Sequence, residues 1–336
     1  GGGATLAPGF IELQLNGGFG LDFTERPDSI WQVAGRMPRF GVTTFLPTIV
    51  TAPLETSARA MRVVGSRPRN FRGAEPLGLH IEGPFLNPGK KGAHDPQYLR
   101  LPSPELVRDW TPANGVRLAT LAPELPGAVE TIASLCRQGV VVSMGHSLAN
   151  QAEAEAGIAA GARWGTHLFN AQPALEHRAH NLTGVLLTDE RVGFGLIADG
   201  IHVDPLMVKL AWKAKSGRGF TLVTDAMAAL GMPPGRSRLG GYDVVVDETS
   251  ARLADGTLAG SILTEDAALR NLLRFSGCSL AEGLAALTST PAALLGLVDR
   301  GRIEAGLRAD FVLLDADLQV MATLVGGEVV YERAAV

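Results

Sequence analysis

The chain has only two cysteines in 336 residues, Cys136 and Cys278. Two thiols so far apart build neither a disulfide framework nor a cysteine-type zinc site. A reducing, cytoplasmic setting is therefore the expectation. No stretch approaches a continuous apolar membrane span, so no membrane partner is expected. The opening residues, GGGATLAPGF, carry neither the charged nor the apolar region of a signal peptide. An excess of positive charge is missing too. The formal net charge of −4 offers no footing for nucleic acid, and attraction for an anion must come from a few placed groups. Internal repeats and low-complexity segments are absent. What is present is 46% hydrophobic and 19% charged, the balance of a globular enzyme with room for one large barrel and a small appendage.

Short apolar runs recur along the chain, and each ends in a residue suited to metal binding or acid–base chemistry. FIELQLN ends at Gln14 and Asn16, VTTFLPT at Thr48, and LGLHIEG at His80 and Glu82. VRLATLAPE ends at Glu124, VVVSMGHS at His146, and ARWGTHLFN at His167 and Asn170. GFGLIADGIH ends at Asp199 and His202, and FTLVTDA at Asp225. Helical patterns separate the runs, which predicts a parallel α/β fold. Eight strands with polar carboxyl ends predict a (β/α)₈ barrel whose active site gathers at that face. In NQAEAEAGIAAG, Asn150 is expected to cap a helix and Glu153 to close a capping box. After Asp225, YDVVVD and ARLADGTLAGS read as a hairpin. LTEDAALRNLLRFSG and SLAEGLAALTSTPAALLG read as two helices, and the tail as a β meander turning at Gly326–Gly327. The expected division is a barrel over residues 8–297 and a small β-sandwich-like domain from residues 1–7 and 298–336. The long irregular stretch from Phe85 to about Pro104 falls on the active-site face.

Glu82, His146 and His167 are the sharpest set. Two imidazoles and a carboxylate at barrel strand ends, with a position open to water, suit a catalytic metal. The alternative is three polar residues lining a metal-free pocket. Asp225 is placed to take a proton from a water and return it to a leaving group; otherwise it orients a ligand or caps a helix. His94, on the long loop, is a candidate oxyanion donor or a solvated histidine. Asn170, Arg178 and His202 suit a phosphate or carboxylate, and Arg178 suits a surface ion pair equally. Lys90 and Lys91 read as a solvated loop face, and His177 and His180 as surface residues.

Taken together, LGLHIEGPFLNPGKKGAH, SMGHS, THLFNA, GLIADGIHVDP, LVTDA and LAGSILT resemble the N-acetylglucosamine-6-phosphate deacetylase family of the amidohydrolase superfamily. The likeness is collinear from Pro8 to the C-terminus. It implies a metal-dependent (β/α)₈ barrel with a small β-sandwich domain, hydrolysing N-acetylglucosamine 6-phosphate to glucosamine 6-phosphate and acetate. It implies Glu82, His146 and His167 as metal ligands, Asp225 as general base and acid, and His94 as the residue polarising the acetyl carbonyl. Asn170, Ala171 through its backbone, Arg178 and His202 become sugar-phosphate contacts, and a homodimer is implied. Where many amidohydrolases carry His-x-His for a second metal, this chain has Gln14-Leu15-Asn16. The expectation is therefore one divalent metal per subunit, zinc foremost and iron, cobalt or manganese the alternatives, with Gln14 and Asn16 on the substrate side. Family members have small-domain strands before PGFI, so that domain is expected to lack its N-terminal strands. Gln172 stands where the family usually has Met. Beside this reading stand the galacto epimer as substrate, an N-acyl-amino-acid or cyclic-amide hydrolase, and a non-catalytic sugar-phosphate binding protein.

Overall fold

The computed structural model describes residues 3–215 and 217–334. Eight parallel strands run in chain order: Phe10–Leu15, Val42–Val50, Leu79–Glu82, Val116–Leu121, Val141–Met144, Trp164–Gly165, Phe194–Leu196 and Phe220–Leu222. The first six form one curled sheet in sequential order, and the last two pair with each other. Backbone bonds join the two pieces. Gly165 N–H donates to Gly193 O (2.9 Å) and Leu168 N–H to Gly195 O (2.8 Å). At the other seam Asp225 N–H donates to Gln14 O (3.0 Å), and Leu15 bridges Ala226. The predicted eight-stranded barrel is the fold.

Helices pack outside the strands, so the strands are buried on both faces and read as apolar runs. Phe10, Phe45, Trp164, Phe194 and Phe220 are among the largest fully buried side chains. The helix Gln151–Ala159 begins with the expected capping box between Asn150 and Glu153. Polar residues cross the barrel interior below its mouth. His80 Nε2 meets Thr120 Oγ1 at 2.7 Å, Thr120 meets Thr166 at 2.7 Å, and Thr166 meets Ser143 at 2.5 Å. Each buried hydroxyl is thereby partnered.

The segment after Asp225 differs from its reading in two places. Tyr242–Val246 pairs antiparallel with Ala251–Arg252 as expected, but also with Gly235–Leu239. That extra strand is exposed along most of its length and carries Gly, Arg and Ser, so it showed no apolar alternation. The two expected helices are three: Glu265–Ser276, Leu280–Ala285 and Ser289–Leu294. Thr288 leaves helical geometry (φ −132°, ψ −83°), and Pro291 is tolerated because it falls in the first turn of a new helix. The tail strands Phe311–Leu314, Val320–Val325 and Glu328–Glu332 form the expected meander, and Thr5–Pro8 adds a fourth strand beside Phe311–Leu314. Gly326 (φ 60°) and Gly327 (φ 86°) supply the two left-handed positions of the tight turn.

Candidate active site

The third, fifth, sixth and eighth strands deliver Glu82, His146, His167 and Asp225 to one cleft of about 310 Å³, at the small end of the range for ligand pockets. Asn16, Lys90, His94, Asn170, Ala171 and His202 line the same cleft. His146, His167 and Asp225 all have positive φ (49°, 32° and 52°). Non-glycine residues seldom adopt such values, and strained positions concentrate at functional sites. The turn after each strand aims the side chain inward in place of continuing the pleat. Gly260 lies across from this turn, where a Cβ would meet Asp225 O at 2.9 Å, and its own φ is +65°.

Glu82 Oε1 lies 3.1 Å from His146 Nε2 and 3.1 Å from His167 Nε2, and the two nitrogens are 3.1 Å apart. His146 Nδ1–H donates to Lys90 O (2.8 Å), which leaves Nε2 as a lone pair aimed at the other two atoms. With His146 Nε2 unprotonated, at most one proton, on His167 Nε2, lies among the three atoms, so hydrogen bonds do not satisfy all of them. They do match one face of a tetrahedral site with bonds of about 2.0–2.1 Å, whose edges are about 3.3 Å. All three residues are buried. Burial pushes the Glu82 carboxyl up, but the two imidazoles outweigh it and hold it well below the usual carboxylate range. The residues fit a divalent metal.

Asp225 stands beside this cluster. Its Oδ1 accepts from Asn16 Nδ2 (2.6 Å) and Gln14 Nε2 (3.2 Å), and Gln14 Nε2 also reaches Glu82 Oε1 at 3.2 Å. Gln14 and Asn16 therefore brace the carboxylates from the first strand, where an imidazole pair would bring further metal donors. Burial, with the nearby Glu82 charge, raises the Asp225 pKa to about 6.

His94 is buried, not solvated. Its Nδ1 accepts from Thr51 N–H (3.2 Å) and meets Thr51 Oγ1 at 2.8 Å. Nε2–H is then the donor the ring has left. Burial, reinforced by His146, lowers its pKa to about 3, so it works as a neutral donor. Lys90 departs from its reading as a solvated face: Nζ donates to Gln172 O (2.8 Å), and its carbonyl orients His146. Gln172 is buried and pins its own loop to Thr166 O (2.9 Å) and Phe169 N–H (3.2 Å).

Also lining the cleft, His202 has its Nδ1 paired with Asp199 Oδ2 at 2.5 Å, which leaves Nε2 for a ligand. Burial works against the Asp199 anion, but His202 and two backbone N–H groups prevail and lower its pKa. Arg178 is not among the residues lining the cleft: it is exposed with His177 and His180 on the segment after Gln172. Sequence reasoning did not assign Thr51, Asp199 or the wall made by Leu239, Thr257 and Leu258. Of these only Asp199 carried a signal, as the partner of His202 in ADGIH.

An eight-stranded barrel with a buried Glu–His–His cluster and an adjacent carboxylate defines a metal-dependent hydrolase, and residues 5–330 match the Amidohydrolase family. Within it the chain belongs to the N-acetylglucosamine-6-phosphate deacetylases. It is 41% identical to the N-acetylglucosamine-6-phosphate deacetylase of Bos taurus, over 98% of this chain and 84% of the relative. It is 36% identical to that of Bacillus subtilis, over 98% and 85%. The deacetylase structure from Thermotoga maritima superposes with a TM-score of 0.92 at 37% identity, covering 98% of this chain and 89% of the other. A mutant Mycobacterium smegmatis deacetylase, solved in complex with N-acetyl-D-glucosamine-6-phosphate, gives 0.91 at 36% identity, covering 97% and 87%. Among the described residues no helix is long and apolar enough to cross a membrane.

Proposed function

We infer that the protein is an N-acetylglucosamine-6-phosphate deacetylase. It hydrolyses the acetamide of N-acetyl-D-glucosamine 6-phosphate to D-glucosamine 6-phosphate and acetate. The observation that carries this reading is the meeting of Glu82, His146 and His167 with Asp225 and His94 in one cleft. Glu82, His146 and His167 are the residues that would hold one divalent metal, zinc foremost, with iron, cobalt or manganese also suited to such donors. A bound metal supplies positive charge that acidifies a water and polarises a carbonyl.

In the proposed mechanism Asp225 accepts a proton as the water oxygen attacks the acetyl carbon. A carboxyl titrating near 6 is ionised at neutral pH, yet close enough to neutrality to give the proton back. Gln14 and Asn16 hold its Oδ1 toward the cleft. His94 Nε2–H donates to the developing oxyanion, and its fixed Nδ1 bonds mean no reorganisation is needed. Asp225 then protonates the nitrogen as the C–N bond breaks, so the leaving group departs as a neutral amine.

The phosphate is assigned to the other end of the cleft, to His202, Asn170 and the backbone of Ala171. Arg178 lies outside the cleft of a single chain. It reaches a phosphate there by movement of its loop or from a second copy, and a homodimer is proposed. The test is acetate release from a panel of N-acetylhexosamines with and without 6-phosphate. N-acetylglucosamine 6-phosphate is expected to lead, with the unphosphorylated sugar lower by about 10²–10⁴-fold in kcat/KM, the scale of losing ~3–5 kcal/mol of charged contacts. Equal rates on both would contradict the phosphate assignment, and preference for the galacto epimer would reassign the substrate.

A further inference from the structure

The mechanism leaves Glu12 without a role, although it interrupts the apolar first strand and is 0% exposed. Its Oε1 accepts the N–H of Gln14 (2.7 Å), and its Oε2 accepts the N–H of Thr224 (2.9 Å). One carboxylate thus spans the seam where the eighth strand meets the first. Both bonds end beside the catalytic cleft: Gln14 braces Asp225, and Thr224 immediately precedes it. Glu265, the first residue of the helix Glu265–Ser276 and 1% exposed, lays its own carboxyl against that of Glu12. Among the described residues no side-chain or backbone donor reaches either Glu265 oxygen. The neighbouring charge, Asp266, is also acidic and is paired with Arg270 at 2.7 Å.

A carboxyl oxygen donates only when protonated, and two buried carboxylates in contact cannot both ionise. Glu12 already accepts two N–H groups, so the proton belongs on Glu265. The helix N-terminus favours an anion there, but its field is weaker than the cost of a second buried carboxylate with no donor. We propose that Glu12, held by Glu265 as its neutral acid partner, is a positioning residue that fixes the barrel seam and so sets Gln14 and Asp225 for the reaction. Burial and the Glu12 charge push Glu265 well above the ordinary carboxyl range, in line with this assignment. The proposal rests on Asp225 acting as the base.

Two measurements on the full-length protein test it. The first is the infrared difference between wild type and Glu265→Gln at pH 8, where Asp22 and Asp225, each near 6, are ionised. A neutral carboxylic-acid carbonyl band in the wild type, lost in the variant, is expected; its absence overturns the pair. This reading does not depend on activity, so it separates failure of the pair from failure of Asp225 as base. The second is kinetic. An amide in place of the Glu265 carboxyl can still donate to Glu12, so Glu265→Gln should keep kcat within about threefold. Glu12→Gln offers one acceptor to two N–H groups. It should lower kcat by about 10–100-fold, with KM within about threefold and metal content unchanged. An unchanged kcat, or a loss that appears in KM and not in kcat, overturns the positioning role. If Glu12→Gln does not fold, the infrared result decides the pair, and Glu265→Gln still tests it, because a large loss of kcat there contradicts the proposal.

Discussion

The two ends of the cleft are built differently. At the metal end, Glu82, His146, His167 and Asp225 all issue from barrel strands, and Glu82, His146 and Asp225 are braced from neighbouring elements by Gln14, the Lys90 carbonyl and Asn16. At the end proposed for the phosphate, His202 alone has a buried ionic partner, while Asn170 and Ala171 sit on a turn and Arg178 is exposed outside the cleft. The closed barrel fixes the three ligand atoms 3.1 Å from one another. In the proposed assignment, recognition of the phosphate falls to these less braced connections. Reaction steps should therefore depend steeply on single residues at the first end, and binding should depend more gently on those at the second.

The largest loss short of removing the metal is expected at Asp225. Asp225→Asn should lower kcat by about 10²–10⁴-fold while metal content, read by elemental analysis, stays near normal. Wild-type-like turnover would remove Asp225 from the mechanism. The same residue sets the pH dependence. Its folded pKa is raised to about 6, and the base form is the ionised one. The kcat/KM of the wild type should fall as pH drops below about 6, approaching tenfold per unit; a flat profile down to pH 4 would rule out a base with that pKa.

His94→Ala is expected next, with a kcat loss of about 10²–10³-fold and a smaller change in KM, the pattern of a lost oxyanion donor. A loss confined to KM would move His94 to substrate binding. The smallest effect tests the phosphate end. Arg178→Ala should raise KM for the phosphorylated sugar by about 10–100-fold, the scale of one charge-assisted bond, and leave the unphosphorylated sugar unaffected. Equal damage to both substrates would mean a folding defect and not a phosphate contact. Light scattering on the same samples checks the homodimer, and a fully active monomer would contradict it.

The metal end was legible in the sequence because each strand is an apolar run that stops at a polar residue, so Glu82, His146, His167 and Asp225 marked their own places. The capping box at Asn150–Glu153 and the turn at Gly326–Gly327 were legible because each is a local arrangement. Other features depend on distant parts of the chain. Lys90 looks like any loop lysine until Gln172 O arrives from the sixth strand's turn. The strand Gly235–Leu239 is exposed and polar, so its partner Tyr242–Val246, not its own pattern, makes it a strand. The left-handed backbone of His146, His167 and Asp225 has no counterpart in composition, since none is glycine. Glu12 did carry a signal, a lone acid in an apolar strand, but its partner lies far along the chain at Glu265.

The central claim is that one divalent metal at Glu82, His146 and His167 supports deacetylation, with Gln14 and Asn16 bracing Asp225 in place of further metal ligands. Its most direct test is to titrate metal-depleted protein with zinc while following acetate release from N-acetylglucosamine 6-phosphate. Activity should rise from near zero and saturate at about one equivalent per subunit, the number a single three-residue site holds. Saturation at two equivalents, or full activity in the depleted protein, would contradict it.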